Sequence, residues 1–280
     1  MAIKDQNMNP SEIEAFFNLL EMNTGIALDL EKEYLLAPRL TEIAKLNGFT
    51  SHVGLVKKLI HHEIGLLHWK CFEAMATHET MFFRDKYPFE VIRDTLLPNL
   101  TKLKKNTKQI NIWCAACSTG QEPYSLAILL RETFPELRDW SIRIHATDLS
   151  EKAILQAKSG VYSESEIKRG LTPELMNKYF VKTDKGHYQI SAELQNWIQF
   201  EQMNLMKPWQ INPKADLILM RNILIYFKQD AKLQLLKKVK EQMADPLSYL
   251  ILGSSESIIF DNFFKLHSLK HISYYSKEPR

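Results

Sequence analysis

A chain of 280 residues with 45% hydrophobic side chains can fill an ordinary core, as one large domain or two modest ones. Lysine and arginine outnumber aspartate and glutamate only by 36 to 33, without blocks of like charge, which argues against a nucleic-acid binder. The opening MAIKDQNMNP lacks the apolar core of a signal peptide, no later stretch is apolar for long enough to cross a bilayer, and three cysteines make no disulfide framework, so a cytoplasmic protein without membrane insertion is expected.

The first 75 or so residues read as helices. NPSEIEAFFNLLE offers Ser11 as an N-cap with Glu14 three places on, and sets Ile13, Phe16, Phe17 and Leu20 on one helical face. A second helix is expected over LEKEYLLAPRLTEIAKLNG, closed by Gly48 and kinked or broken at Pro38; a third begins near Ser51. Residues 1–75 are therefore read as a small all-α domain and 76–280 as a second domain.

After the polar join LTKLKKNTKQ, short apolar runs alternate with helices, the pattern of a mainly parallel α/β sheet. Strands are expected at 110–115, 142–147, 198–201, 216–221 and 248–252, helices at 122–133, 151–159 and 230–244, and one or two closing strands in FKLHSLKHISYYS. Within the longer insert at 160–197, YFVKTDKGHYQISAEL alternates like a small hairpin, giving a β insert at about 178–197.

In an open parallel sheet, ligands bind outside the carboxyl ends of the strands. CAACSTGQEPYS leaves the first strand through small side chains and one glycine, then meets Glu122 at a helix start. It lacks the three-glycine spacing of a dinucleotide fingerprint. HATDLS ends the second strand on Asp148, which can accept hydrogen bonds from ribose hydroxyls and can also cap the following helix. A pocket with two carboxylates and no clustered Lys or Arg suits a positively charged nucleoside, and S-adenosylmethionine is one. DLILMRNILIYF places the polar pair Arg221 and Asn222 between apolar runs, where unpaired buried donors would cost about 1–3 kcal/mol each. HETMFFRDKYPF, taken alone, reads as an aromatic linker plug with a surface arginine, Arg84.

Two metal readings fail on spacing, and no metal is expected. His62 and His68 in HHEIGLLH are six apart, not the four that bring two imidazoles to one helical face. Cys114 and Cys117 form a C-x-x-C with no second pair.

The ordered set HETMFFRD, WCAACSTGQEPYSLAILL, ATDLSEKAILQAKSGVYS, FEQMNLM, DLILMRNILIYF and LILGSSES, spanning about residues 76–260, closely resembles the CheR-type chemotaxis receptor methyltransferases. The resemblance implies a Rossmann-like class I S-adenosylmethionine-dependent methyltransferase sheet behind the helical domain. It further implies methylation of glutamate side chains on the cytoplasmic helices of chemoreceptors, with S-adenosylhomocysteine as product. The cofactor-binding positions it implies are Thr80, Arg84, Glu122, Asp148, Asn204, Leu205, Arg221 and Asn222, together with His78, where the family usually has asparagine. It also implies a basic helix face on the amino-terminal domain, for which this chain offers Lys32, Arg39, Lys45, Lys57 and Lys58 although its first hundred residues are net acidic. The insert, less glycine-rich than in members that grip a receptor tail, leaves tail-tethering unsupported.

A glutamate acceptor is already ionised at neutral pH, so no general base is required. Arg84 is the expected orienting residue for the acceptor carboxylate, with Tyr226 as second candidate. The enzyme is expected to act as a monomer. The competing readings are a cofactor-binding adaptor without catalysis and a methyltransferase of another protein substrate; an Asp/Asn-Pro-Pro-aromatic signature of amino methylation is absent from RNILIY.

Overall fold

The computed structural model describes residues 8–258, 263–269 and 272–277. Two compact units emerge. The first comprises the chain up to Thr77 with Asn204–Pro208 and Tyr226–Lys232; the second comprises His78–Met203, Trp209–Ile225 and the chain from Leu233 onward.

The first unit holds helices α1 (Pro10–Thr24), α2 (Leu36–Leu46), α3 (His52–Leu59) and α4 (Leu66–Met75) around Phe16, Leu20, Leu40, Leu55 and Phe72. α1 begins earlier than Ser11 predicts. Proline at the first helical position lacks only an N–H that would be unpaired anyway, so the cap is Asn9, whose side chain accepts from Glu12 N at 2.9 Å. Glu12 completes the box by accepting from Asn9 N. Pro38 breaks nothing: it lies in the first turn of α2, behind a 3-10 turn at Leu30–Leu35, where its missing donor is harmless. Ser51 caps α3 as its position suggests. His68 is a buried structural residue, with Nδ1 accepting from Gly65 N and Nε2 facing the Leu59 carbonyl.

The second unit opens on α5 (Tyr87–Val91), a π turn at Ile92–Leu96 and α6 (Leu97–Leu103), then enters the sheet at β1 (Gln109–Ala115). α7 (Gln121–Thr133), β2 (Ser141–Asp148) and α8 (Glu151–Ser159) follow. The insert contains β3 (Val161–Tyr162), α9 (Glu164–Lys168), α10 (Pro173–Tyr179), β4 (Phe180–Lys182), β5 (Tyr188–Ile190) and α11 (Ala192–Gln195). β6 (Ile198–Gln202), β7 (Leu217–Met220), α12 (Gln229–Gln242), β8 (Tyr249–Leu252), β9 (Phe264–Leu269) and β10 (Ile272–Lys277) complete the chain's order.

The main sheet runs β6-β2-β1-β7-β8-β10-β9, parallel from β6 to β8 and closed by an antiparallel pair. From β1 the chain steps outward one way to β2 and β6, then the other way through β7 and β8. The order reverses between β1 and β7, so the crevice for a ligand lies outside their carboxyl ends. Burial on both faces explains why β7 and β8 read as unbroken apolar runs. The insert is a separate three-stranded sheet, β3-β5-β4, larger than the hairpin its alternation suggests, because β3 lies before the helices and pairs with β5 across them.

The insert presses on the segment that opens the second unit. Gly170 has φ +113°, and a Cβ there would fall 1.9 Å from the Phe82 carbonyl oxygen. Backbone cannot yield as a side-chain tip does. Gly170→Ala is expected to destabilise the protein by about 2 kcal/mol or more, read as a lower denaturant midpoint at unchanged slope.

Candidate active site

β2 ends on Asp148, which is only 8% exposed. Its Oδ2 accepts from Ser118 N at 2.8 Å and its Oδ1 from Ser150 N at 3.0 Å. A carboxylate offers about four lone-pair directions, so acceptor capacity remains for a ligand hydroxyl. The β1–α7 loop that meets it is held in unusual backbone: Ala116 at φ 57°, Ser118 at φ 51° and Gly120 at φ 95°. At Gly120 a Cβ would come within 2.9 Å of Ala157 Cβ, so glycine is needed for contact as well as conformation.

Glu122, in the first turn of α7, and Arg221, just past β7, form a buried ion pair with Nη1 to Oε2 at 2.8 Å. Burial raises the Glu122 pKa, and the attraction of Arg221 opposes it. Arg221 Nη2 also donates to Asp85 Oδ2 at 2.9 Å and to the Arg84 carbonyl at 2.7 Å, while its guanidinium lies 5.6 Å from the Phe89 ring centroid. Asn222 has φ 58°, and its N–H donates to Glu256 Oε2 at 2.7 Å. The same carboxylate accepts from Gly253 N at 2.7 Å and Ile225 N at 3.3 Å.

The segment at residues 78–86 is no idle linker. Phe82 is fully buried, Phe83 N donates to Ser125 Oγ at 2.8 Å, and the His78 carbonyl accepts from Ser118 Oγ at 3.1 Å. His78 Nε2 lies 3.7 Å from Asp148 Oδ1 and has no hydrogen-bond partner among the described residues. Thr80 is half-buried in the same segment. Arg84 donates to the Glu79 carbonyl at 2.6 Å but pairs with no carboxylate among the described residues.

His78, Thr80, Arg84, Glu122, Asp148, Arg221 and Asn222 thus belong to one unit, at the ends of β1, β2 and β7 and in the segment bound to them. Asn204, Leu205 and Tyr226 belong to the other unit. There Asn204 Nδ2 donates to the Asn23 carbonyl at 2.7 Å, Leu205 is buried, and the Tyr226 carbonyl accepts from Ala27 N at 2.8 Å. Of the basic residues offered for a partner, Arg39 is spent internally on the Met75 and Ala76 carbonyls and Thr77 Oγ1. Asp85 and Glu256 were not legible as site residues, although Glu256 follows an apolar strand in a short polar run, the signal that singled out Arg221.

Taken with Asp85 and Glu256, the second-unit groups carry more acidic than basic charge, and Arg221 Nε and His78 Nε2 are buried without hydrogen-bond partners among the described residues. An acidic, partly unsatisfied crevice at the switch point fits a cationic nucleoside such as S-adenosylmethionine.

Residues 78–272 match the family described as CheR methyltransferase, SAM binding domain. The chain belongs to the CheR methyltransferase family. It is 35% identical over 252 residues to chemotaxis protein methyltransferase 1 of Pseudomonas aeruginosa, covering 89% of this chain and 90% of that one. The chemotaxis protein methyltransferase of Vibrio anguillarum is 36% identical over 256 residues, 90% of each chain, and that of Borreliella burgdorferi 30% over 256 residues, again 90% of each. This CheR protein is an S-adenosylmethionine-dependent methyltransferase with the class I sheet, a helical amino-terminal region and a small antiparallel insert.

Cys114 and Cys117, beside the site in sequence, are free and buried, as is Cys71. Burial pushes all three thiols up, Cys71 to about 12 from an ordinary 9.0. A thiol-specific reagent at pH 8 is expected to modify none of the three cysteines in the native protein and all 3 after unfolding. Because the folded values exceed the unfolded one, the thiol contribution to stability is complete below about pH 9 and shrinks as pH rises beyond it. Thermal melts should therefore fall steadily above that pH.

Proposed function

We propose that this CheR protein transfers the methyl group of S-adenosylmethionine to glutamate side chains on the cytoplasmic helices of chemoreceptors, forming methyl esters. Relatives that align over nine tenths of their length carry the name chemotaxis protein methyltransferase, and this supports the receptor as substrate. The observation that carries the chemistry is Arg84. Arg221 spends its charge on Glu122 and Asp85, whereas the Arg84 guanidinium has no carboxylate partner among the described residues, yet is close enough to influence the ionisation of Glu122. It is a cation left available for a carboxylate that the described residues do not supply.

The cofactor would be held by Asp148 at its ribose, and by Glu122, Thr80, His78, Arg221 and Asn222 around it. Asn204, Leu205 and Tyr226 are kept as further contacts on the family resemblance alone. When bound, S-adenosylmethionine supplies an electrophilic methyl group. The acceptor glutamate, with an ordinary pKa near 4.3, arrives ionised, so no side chain has to remove a proton. Arg84 orients that carboxylate, with Tyr226 as the second candidate. A contact of this kind is worth about 1.5–3 kcal/mol, or roughly one to two powers of ten in rate.

Arg84→Ala is expected to lower base-labile methyl-ester formation on receptor cytoplasmic fragments by about ten- to a hundredfold while changing S-adenosylhomocysteine affinity far less. Equal turnover would remove Arg84 from the mechanism. In calorimetry the wild type should bind S-adenosylhomocysteine and Asp148→Ala should lose that binding; a variant that binds unchanged would rule out Asp148 as the ribose acceptor.

A further inference from the structure

Two of the segments that carry or lead into the proposed cofactor residues of the second unit, residues 78–86 and the β1–α7 loop, rest on one tyrosine of the insert. Tyr162, in the edge strand β3, is 1% exposed. Its ring packs edge-on against Phe82 with centroids 5.2 Å apart, and so abuts the segment bearing His78, Thr80 and Arg84. Phe180 of β4 joins the same cluster, 5.6 Å from Phe82 and 6.4 Å from Tyr162. The Tyr162 hydroxyl donates to the Thr119 carbonyl at 2.8 Å, inside the β1–α7 loop. That same oxygen lies 3.0 Å from where a Gly120 Cβ would sit, so the glycine leaves the space the hydroxyl fills.

We propose that Tyr162 is a positioning residue for the cofactor site, and that through it the insert sets the relative placement of residues 78–86 and the β1–α7 loop. The inference rests on those two segments holding S-adenosylmethionine.

The physical argument runs through backbone strain. Ala116, Ser118 and Gly120 all hold positive φ within five residues. Strained backbone of this kind persists only while its surroundings fix it. Thr119 sits among these residues, directly before Gly120, the N-cap of the helix that presents Glu122, and one residue after the Ser118 N–H that grips Asp148. Removing the tyrosine hydroxyl leaves the Thr119 carbonyl without this donor and lets the loop relax, moving Ser118 N and Glu122 together. Burial holds the phenol well above its ordinary pKa, so it remains a donor throughout the working pH range.

A hydroxyl that merely satisfied a buried carbonyl would add stability and nothing else. Tyr124 supplies that comparison. It is fully buried in the same aromatic cluster, 6.2 Å from Tyr162, and its hydroxyl donates to the Ala157 carbonyl on α8 at 2.8 Å. None of the proposed cofactor residues lies on α8.

The full-length wild type, Tyr162→Phe and Tyr124→Phe are to be compared by calorimetric titration with S-adenosylhomocysteine, by methyl-transfer kinetics and by thermal melts. Both variants should lose similar thermal stability. Tyr162→Phe should bind about five- to tenfold more weakly and raise the KM for S-adenosylmethionine to match, with kcat within about twofold, since a tenfold change corresponds to about 1.4 kcal/mol, the size of one hydrogen bond. Tyr124→Phe should keep wild-type affinity. Hydrogen exchange of the amides at residues 118–121 should quicken in Tyr162→Phe alone. Equal affinities and equal exchange in the two variants would overturn the role of Tyr162 while leaving the cofactor site standing. A wild type that does not bind would overturn the cofactor site itself, and this inference with it.

Discussion

The strand-end site depends on the buried guanidinium of Arg221. Its side chain is 2% exposed, and its planar fork reaches a carboxylate on α7, a second carboxylate at Asp85 and the carbonyl of Arg84. An isolated charge at that depth would cost several kcal/mol, and the two carboxylates with the carbonyl offset it. Three chain segments, the end of β7, the start of α7 and residues 84–85, are thereby tied at one point. Lysine could not replace it, because a single ammonium lacks the planar array of donors that bonds in three directions. The same tie decides the charge of the crevice. With Arg221 neutralised by Glu122 and Asp85, the Arg84 guanidinium is left without a carboxylate partner among the described residues.

Around that tie the backbone is held in conformations that side-chain-bearing residues rarely adopt. Phe83, Asp85, Ala116, Ser118 and Asn222 all have positive φ, at loops bordering the carboxyl ends of the strands. Each costs of order 1 kcal/mol or more unless its neighbours hold it. The holding contacts are visible: Ser118 N on Asp148, Phe83 N on Ser125 Oγ, and Asn222 N on Glu256. Such loops arrive shaped before a ligand does, so binding need not also order them. Glu256 shows how economical this is, since one carboxylate serves three N–H groups from the ends of β7 and β8.

Much of this was legible in the chain. The periodicities placed β1, β2, β6, β7 and β8 within two residues of their ends: β7 and β8, buried on both faces, read as unbroken apolar runs, and β2 and β6 alternate apolar with polar residues. Caps were less secure. Ser11 and Glu14 satisfy the capping-box pattern as well as Asn9 and Glu12 do, and the choice falls to the geometry of Pro10. The insert was under-read, because β3 is two residues long and finds its partner β5 more than two dozen residues later. No local pattern reports so distant a pairing.

The order of residue types placed the polar groups of the candidate site: Asp148 ends β2, Arg221 follows the apolar β7 and Glu122 lies in the first turn of α7. The family and its cofactor were within reach from that order as well. What tertiary structure alone decided is which of those charges are already spent. Arg84 and Arg221 are alike as letters, yet one is buried among carboxylates and the other is paired with none among the described residues. Likewise HETMFFRD reads only as an aromatic plug, and the partners that Phe82 packs against, Tyr162 and Phe180 of the insert, are set by the fold. Pairing of charges and packing of rings depend on distances between residues far apart in the chain, and those distances exist only once the sheet has closed.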